Sequence, residues 1–158
     1  FAPAVGDCMV DEEHQAAYLA RYYLLAFASG QVEAIYWHQL VAPGYGLIDN
    51  RGQSARRRKA FYALKTLTAL FSGATITGFD QRESLFVLKA ERGSQRVTAV
   101  WTNDTSTTVD VSSFLEDFDS DPLAGNITVH GLTGDQQEFA STITASGYAT
   151  YFVQERVN

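Results

Sequence analysis

The sequence is short of several things, and each shortage removes a class of protein. It holds one cysteine, Cys8, in 158 residues. An intrachain disulfide is therefore impossible, and a cysteine-cluster zinc site is excluded. Its three histidines, His14, His38 and His130, are too scattered to form a metal-ligand motif, so no metal or other cofactor is expected. No apolar run approaches the ~18 residues that cross a membrane. No charged segment leads into an apolar one, so no signal peptide is visible. The first residue is Phe1 rather than Met, and the sequence reads as a piece of something longer. Positive charge is scarce as well. Twelve Lys/Arg face eighteen Asp/Glu, and the net charge of −6 argues against nucleic acid as a partner. A Gly-rich phosphate loop, a serine elbow and a paired-histidine helix are all missing.

What is present suits one medium domain or two small ones. Hydrophobic residues make up 46% and charged residues 19%, enough to bury a core. The charge is uneven: residues 1–73 carry +1 and residues 74–158 carry −7. This shift places a boundary near Gly73.

Residues Phe1 to Val10 lack a period and read as a loop. Asp11 can cap a helix whose first turn holds Glu12 and Glu13, both expected to be solvated. Ala16, Leu19, Tyr23, Ala26 and Phe27 recur at spacings of three and four, with Tyr22 and Leu24 widening the face. Gly30, able to take the left-handed conformation, ends the helix. Next comes Val32-Glu33-Ala34-Ile35-Tyr36-Trp37-His38-Gln39-Leu40, which reads as a buried strand. Alternation puts Ile35, Trp37 and Gln39 on one side and Ala34, Tyr36 and His38 on the other. A turn-rich loop from Ala42 to Gly46 and a brief extended piece from Gly46 to Asp49 follow. A second helix opens near Ser54, carries Phe61, Leu64, Leu67, Thr68 and Phe71 on one face, and ends at Ser72-Gly73. Helix, strand and helix in that order belong to a parallel α/β layer, whose strands face ligand at their C-terminal ends.

From Ala74 the period changes to two. Strands are expected over Thr75 to Phe79, Ser84 to Ala90, Arg96 to Thr102, Thr107 to Val111, Asn126 to His130, Glu138 to Ile143 and Tyr148 to Glu155. Turn signals such as Arg92-Gly93-Ser94 and Thr133-Gly134-Asp135 separate them. Seven short strands at this spacing indicate an antiparallel β-sandwich.

Few residues offer chemistry. Trp37, at the ligand-facing strand end, can stack on the apolar face of a sugar ring, or it can be core. His38 can bond a ligand hydroxyl or a nearby loop. Tyr45 can rim the same pocket or pack within its loop. Glycoside hydrolysis needs two carboxylates about 5–10 Å apart, and no such pair is found at these strand ends, so no catalytic residue is assigned. Asp117, Asp119 and Asp121 alternate as in a calcium loop, but Pro122 and Thr128 stand where that motif needs Gly and Glu. They read as a plain acidic loop. Arg56 to Lys59 read as a solvated helix start rather than a phosphate or nucleic-acid site. Asn103-Asp104-Thr105 and Asn126-Ile127-Thr128 match the glycosylation sequon.

One resemblance joins these parts. Asp11-Glu12-Glu13-His14-Gln15-Ala16-Ala17-Tyr18-Leu19-Ala20-Arg21, then Ile35-Tyr36-Trp37, then Tyr45-Gly46-Leu47-Ile48-Asp49, then Lys59-Ala60-Phe61-Tyr62-Ala63-Leu64 resemble, in that order, the C-terminal end of a glycoside hydrolase barrel. The clan is the one with two catalytic glutamates, in its cellulase-like and xylosidase-like branches. Ala60 follows Lys59 where those enzymes commonly have proline. The resemblance implies an α+β chain: residues 1–73 as the last helix-strand-helix of a (β/α)₈ barrel, and residues 74–158 as a β-sandwich accessory domain. It implies a retaining hydrolase of poly- or oligosaccharides whose two glutamates lie upstream of Phe1. Trp37 would then floor the sugar site, with His38 and Tyr45 beside it. This piece alone would not catalyse. Its partners would be a carbohydrate substrate, the missing N-terminal barrel segment and, through exposed strand edges, a second copy of itself; neither nucleic acid nor membrane is expected. The compartment is not fixed by these residues, although a secreted or periplasmic parent fits. The rivals are a non-catalytic carbohydrate-binding module and a purely structural module that caps a barrel.

Overall fold

Helix α1 spans Glu12–Ser29 in the computed structural model, which describes residues 10–43, 45–103, 105–115 and 126–155. Cys8, the acidic stretch with Asp117, Asp119 and Asp121, and Asp104 of the first sequon lie outside the described residues. Both ends of α1 are set by local chemistry. The Asp11 carboxylate accepts the His14 backbone N–H at 2.8 Å, satisfying one of the orphan donors of the first turn. Gly30, at φ 62°, closes the other end and donates its N–H to the Phe27 carbonyl. Its inward face holds Ala16, Leu19, Ala20, Tyr23 and Leu24.

Helix α2 begins later than the sequence suggests. It spans Lys59–Phe71, and Arg56–Arg57, expected within it, form strand β2 against β1, Ile48–Asp49. The reason is electrostatic: Arg56 and Arg58, on either side of Arg57, are held by Glu12 and Asp49, which favours extended backbone here. Alanines on both helices are fully buried, Ala16 and Ala20 on α1 and Ala60 and Ala63 on α2. Their small side chains let the two helices pack closely against each other.

The remaining chain is antiparallel sheet. β3 (Thr75–Arg82), β4 (Leu85–Arg92), β5 (Gln95–Thr102), β6 (Thr107–Asp110), β7 (Asn126–His130), β8 (Gln136–Gln137), β9 (Thr142–Ala145) and β10 (Thr150–Glu155) follow in turn. Six of them form one sheet in the order β3-β4-β5-β10-β7-β8, and β6 pairs with β9 in a second, two-stranded sheet. The expected strand from Glu138 to Ile143 is therefore split. At that point the chain leaves β8 in the large sheet and enters β9 in the small one, so residues between them pair with neither.

Period-two alternation gives the large sheet two apolar faces. Phe86, Leu88, Ala90, Val97, Ala99, Trp101, Tyr151 and Val153 share one core with both helices. Val87, Val100, Val129 and Phe152 form a second core with Val111, Phe114, Leu115 and Ala145. The molecule is thus an α+β structure in layers: helices, six-stranded sheet, two-stranded sheet.

Residues 32–40 depart furthest from expectation. They form no regular strand and are not buried; Tyr36 is 87% exposed. A parallel strand is bonded along both edges by neighbours. Here the segment is anchored only at its end, where Leu47 N–H donates to the Gln39 carbonyl, Ile48 N–H to the Leu40 carbonyl, and Val41 bridges Ile48 in parallel. The alternation survives as far as His38: Ile35 and Trp37 turn toward the helix-side core, while Ala34, Tyr36 and His38 face out. Gln39, expected beside Trp37, is exposed and bonds Tyr45.

Candidate functional site

The extended segment and the loop after it carry the three residues singled out in the sequence. Trp37 is half-buried against the helix-side core, with its ring edge-on to Tyr22 of α1 at 6.4 Å between centroids. Its Nε1 is buried and has no hydrogen-bond partner among the described residues. His38 points the other way and lies nearly parallel to Tyr45, with centroids 6.2 Å apart and planes 12° apart. The Tyr45 hydroxyl donates to Gln39 Oε1 at 3.1 Å. Gln15 on α1 fixes the loop by donating its Nε2 to the Tyr45 carbonyl at 2.7 Å. Gly46 allows this tight path, because a Cβ there would lie 2.3 Å from the Ala42 nitrogen. The structure therefore brings His38 and Tyr45 together and sets Trp37 on the opposite side of the same segment.

A second constellation was invisible in the sequence. Arg58, expected to be a solvated helix start, is completely buried and donates Nη2 to Asp49 Oδ2 at 2.7 Å. Arg51 grips the same carboxylate with its Nε and Nη2. Arg56 pairs with Glu12, and Lys59 with Glu13, so these two glutamates are not simply solvated. Hydrogen bonds from Arg51 hold the Asp49 carboxyl far below the usual carboxylate range, and the nearby Arg58 charge adds to this. Glu12 is lowered chiefly by its hydrogen bond from Arg56. Nothing local announced the cluster, since Glu12 and Arg56 are 44 positions apart. The one readable hint was a run of cations at a helix start, where the dipole disfavours them.

These acidities bear on catalysis. A glycosidase pair needs one carboxyl held high enough to donate a proton. Among the described residues, Asp11, Glu12, Asp49, Asp110 and Asp135 are all lowered by hydrogen bonds. What the site offers is aromatic surface and neutral hydrogen-bonding groups.

No protein-family model matches the sequence, and no curated protein matches it. Solved structures do share its fold, and they are glycoside hydrolases. A family 39 glycoside hydrolase from Bacteroides cellulosilyticus superposes with a TM-score of 0.74 at 17% identity, over 91% of this chain and 31% of that one. A family 30 subfamily 8 xylanase from Clostridium acetobutylicum gives 0.66 at 12% identity, over 93% of this chain and 40% of that one. A family 30 endoxylanase from Clostridium papyrosolvens gives 0.61 at 12% identity, over 92% and 40%. The chain therefore has the fold of a part of such enzymes, spanning less than half the length of each.

Proposed function

We propose that this chain is the C-terminal part of a retaining glycoside hydrolase of the two-glutamate (β/α)₈-barrel clan. The observation that carries the reading is the fold likeness: nearly all of this chain matches a minor share of three glycoside hydrolases. Residues 1–73 would be the last barrel segment and residues 74–158 the β-sandwich accessory domain. The missing barrel segment would bond the open edge of residues 32–38 and cover Tyr18, Tyr22 and Leu25, which lie exposed along one side of α1. Trp37 would supply part of the sugar-binding floor, with His38 and Tyr45, on the other side of the segment, at its rim, a reading supported by their aromatic and polar surface. Both catalytic glutamates would come from upstream, and the carboxyls of the ion cluster are spoken for by arginine.

The test joins the chain to its upstream barrel and assays β-linked polysaccharides, beginning with xylan because two of the structural neighbours are xylanases. The joined protein should hydrolyse where this chain alone does not. Trp37→Ala should raise KM on the order of tenfold, the scale of one lost stacking contact. Hydrolysis by this chain alone, or an unchanged KM, would defeat the proposal.

A further inference from the structure

The two-stranded sheet covers only part of the face it packs on. Beyond Val100 and Phe152 no described strand covers that face, and a cleft of about 540 Å³ lies across β3, β4, β5 and β10. Ser113, Phe114 and Leu115 wall it on one side. Its volume lies within the ~300–1,000 Å³ usual for small-molecule sites. From the structure we infer that this cleft is a second binding site, specific for a neutral saccharide of one or two rings.

The floor carries the inference. Thr98 of β5 and Gln154 of β10 line the cleft and are each 1% exposed. Among the described residues, Thr98 Oγ1 and Gln154 Nε2 have no hydrogen-bond partner. Buried polar atoms are nearly always paired, so two orphans on one floor call for an explanation. Partners cannot come from behind: the alternate residues Val97, Ala99 and Val153 face the closed, helix-side core. They must come from the cleft side. A hydroxyl both donates and accepts, so a polyol can satisfy a threonine hydroxyl and an amide NH₂ together. The rim argues against an ion. Asp80 holds Arg82 at 2.7 Å and Glu91 holds Arg96 at 3.3 Å, so charges of both signs are already engaged. Phe114 and Leu115 give an apolar wall beside the floor, on which the C–H face of a pyranose can rest, and Val87 adds an apolar patch to the floor itself.

The site does not depend on the barrel reading, and its test separates the two. Labelled protein would be titrated with xylobiose, cellobiose and maltose, with glucuronate as the charged control, while backbone amide shifts are followed. At least one neutral disaccharide should move the Lys89, Thr98 and Gln154 amides and saturate with a Kd of about 1 mM. Thr98→Val and Gln154→Met keep shape and remove the polar atoms. Each should weaken binding at least about tenfold while the thermal midpoint stays the same or rises, an outcome that a purely structural role would not give. Trp37→Ala should leave this binding intact. Amides that stay still up to about 10 mM disaccharide, ten times that Kd, would overturn the site. So would equal binding by both variants, loss of binding on Trp37→Ala alone, or tighter binding of glucuronate.

Discussion

Asp49 and Arg58 show how unequal two halves of one ion pair can be. Arg58 is fully buried, with the Asp49 carboxylate at 2.7 Å and that of Glu12 at 3.6 Å, whereas Asp49 also holds Arg51 and lies 3.7 Å from Arg56. Removing the carboxylate takes the closer counter-charge from a buried guanidinium; removing the guanidinium leaves the carboxylate held by Arg51. Asp49→Asn should therefore lower the urea midpoint more than Arg58→Met does. The same carboxyl sets an acid limit. Its acidity is lowered in the folded state, so the stability it lends is whole above the ordinary value of 3.8 and is lost as pH falls below it. The acid-unfolding curve of Asp49→Asn should be flatter in that range. Tyr151 gives the opposite sign. Its hydroxyl is buried in the helix-side core without a partner among the described residues, and burial pushes its ionisation well above the usual 10.0. The folded state holds that proton more tightly, so stability falls as pH climbs past 10.0. Tyr151→Phe should remove that alkaline loss and, near neutral pH, be neutral or stabilising by up to about 1 kcal/mol. At this scale the sequence was legible only where chemistry is local. Asp11 and Gly30 could be read as caps because their partners lie three residues away. Arg58 could not, because what buries it comes from another element.

Among elements, two glycines separate two costs. Gly93, at φ 59° in the β4–β5 turn, has nothing near the place a Cβ would take. Gly134, at φ 88°, would put a Cβ 2.6 Å from Thr66 Oγ1 of α2. Gly93→Ala should cost about 1 kcal/mol, the left-handed penalty alone. Gly134→Ala should cost ~1–3 kcal/mol more, because the loop before β8 must also lift from the helix. Chemical denaturation of the two variants measures the difference. The strands were readable because a two-residue period needs no knowledge of partners. Where pairing decided the matter, reading failed: residues 32–40 carry strand chemistry but have a neighbour at one end only, and residues 138–141 cross between sheets. Tyr45 could be read only as a pocket rim or as loop packing, so its ring contact with His38 was not foreseen; nor was the exposure of Tyr36, which follows from the missing neighbours.

At the scale of the molecule, and among the described residues, exposed large apolar side chains stand on α1 and on the extended segment that packs beside it through Trp37. Tyr18, Tyr22 and Leu25 stand along α1, and Tyr36, Leu40 and Val41 along the extended segment. Such an apolar surface on a chain with the fold of part of a larger enzyme is unlike an ordinary finished one. The isolated chain should associate with itself in a concentration-dependent way by sedimentation velocity, and Tyr22→Lys with Leu25→Lys should reduce that association without lowering the thermal midpoint. Midpoints that do not move with association would place the contact on these side chains rather than in the core. The layered α+β arrangement was legible in the change of period at Ala74. The second cleft was not, because it depends on how much of a sheet face a two-stranded partner leaves bare.

The position of β10 governs when this fold can come into being. It stands between β5 and β7 in space yet follows both during synthesis. Until Thr150–Glu155 leave the ribosome, the two halves of the sheet face each other across a gap one strand wide. The nascent chain must therefore wait, with the β5 edge open to wrong partners, and a stop codon placed just before Thr150 would leave two half-sheets with nothing to join them.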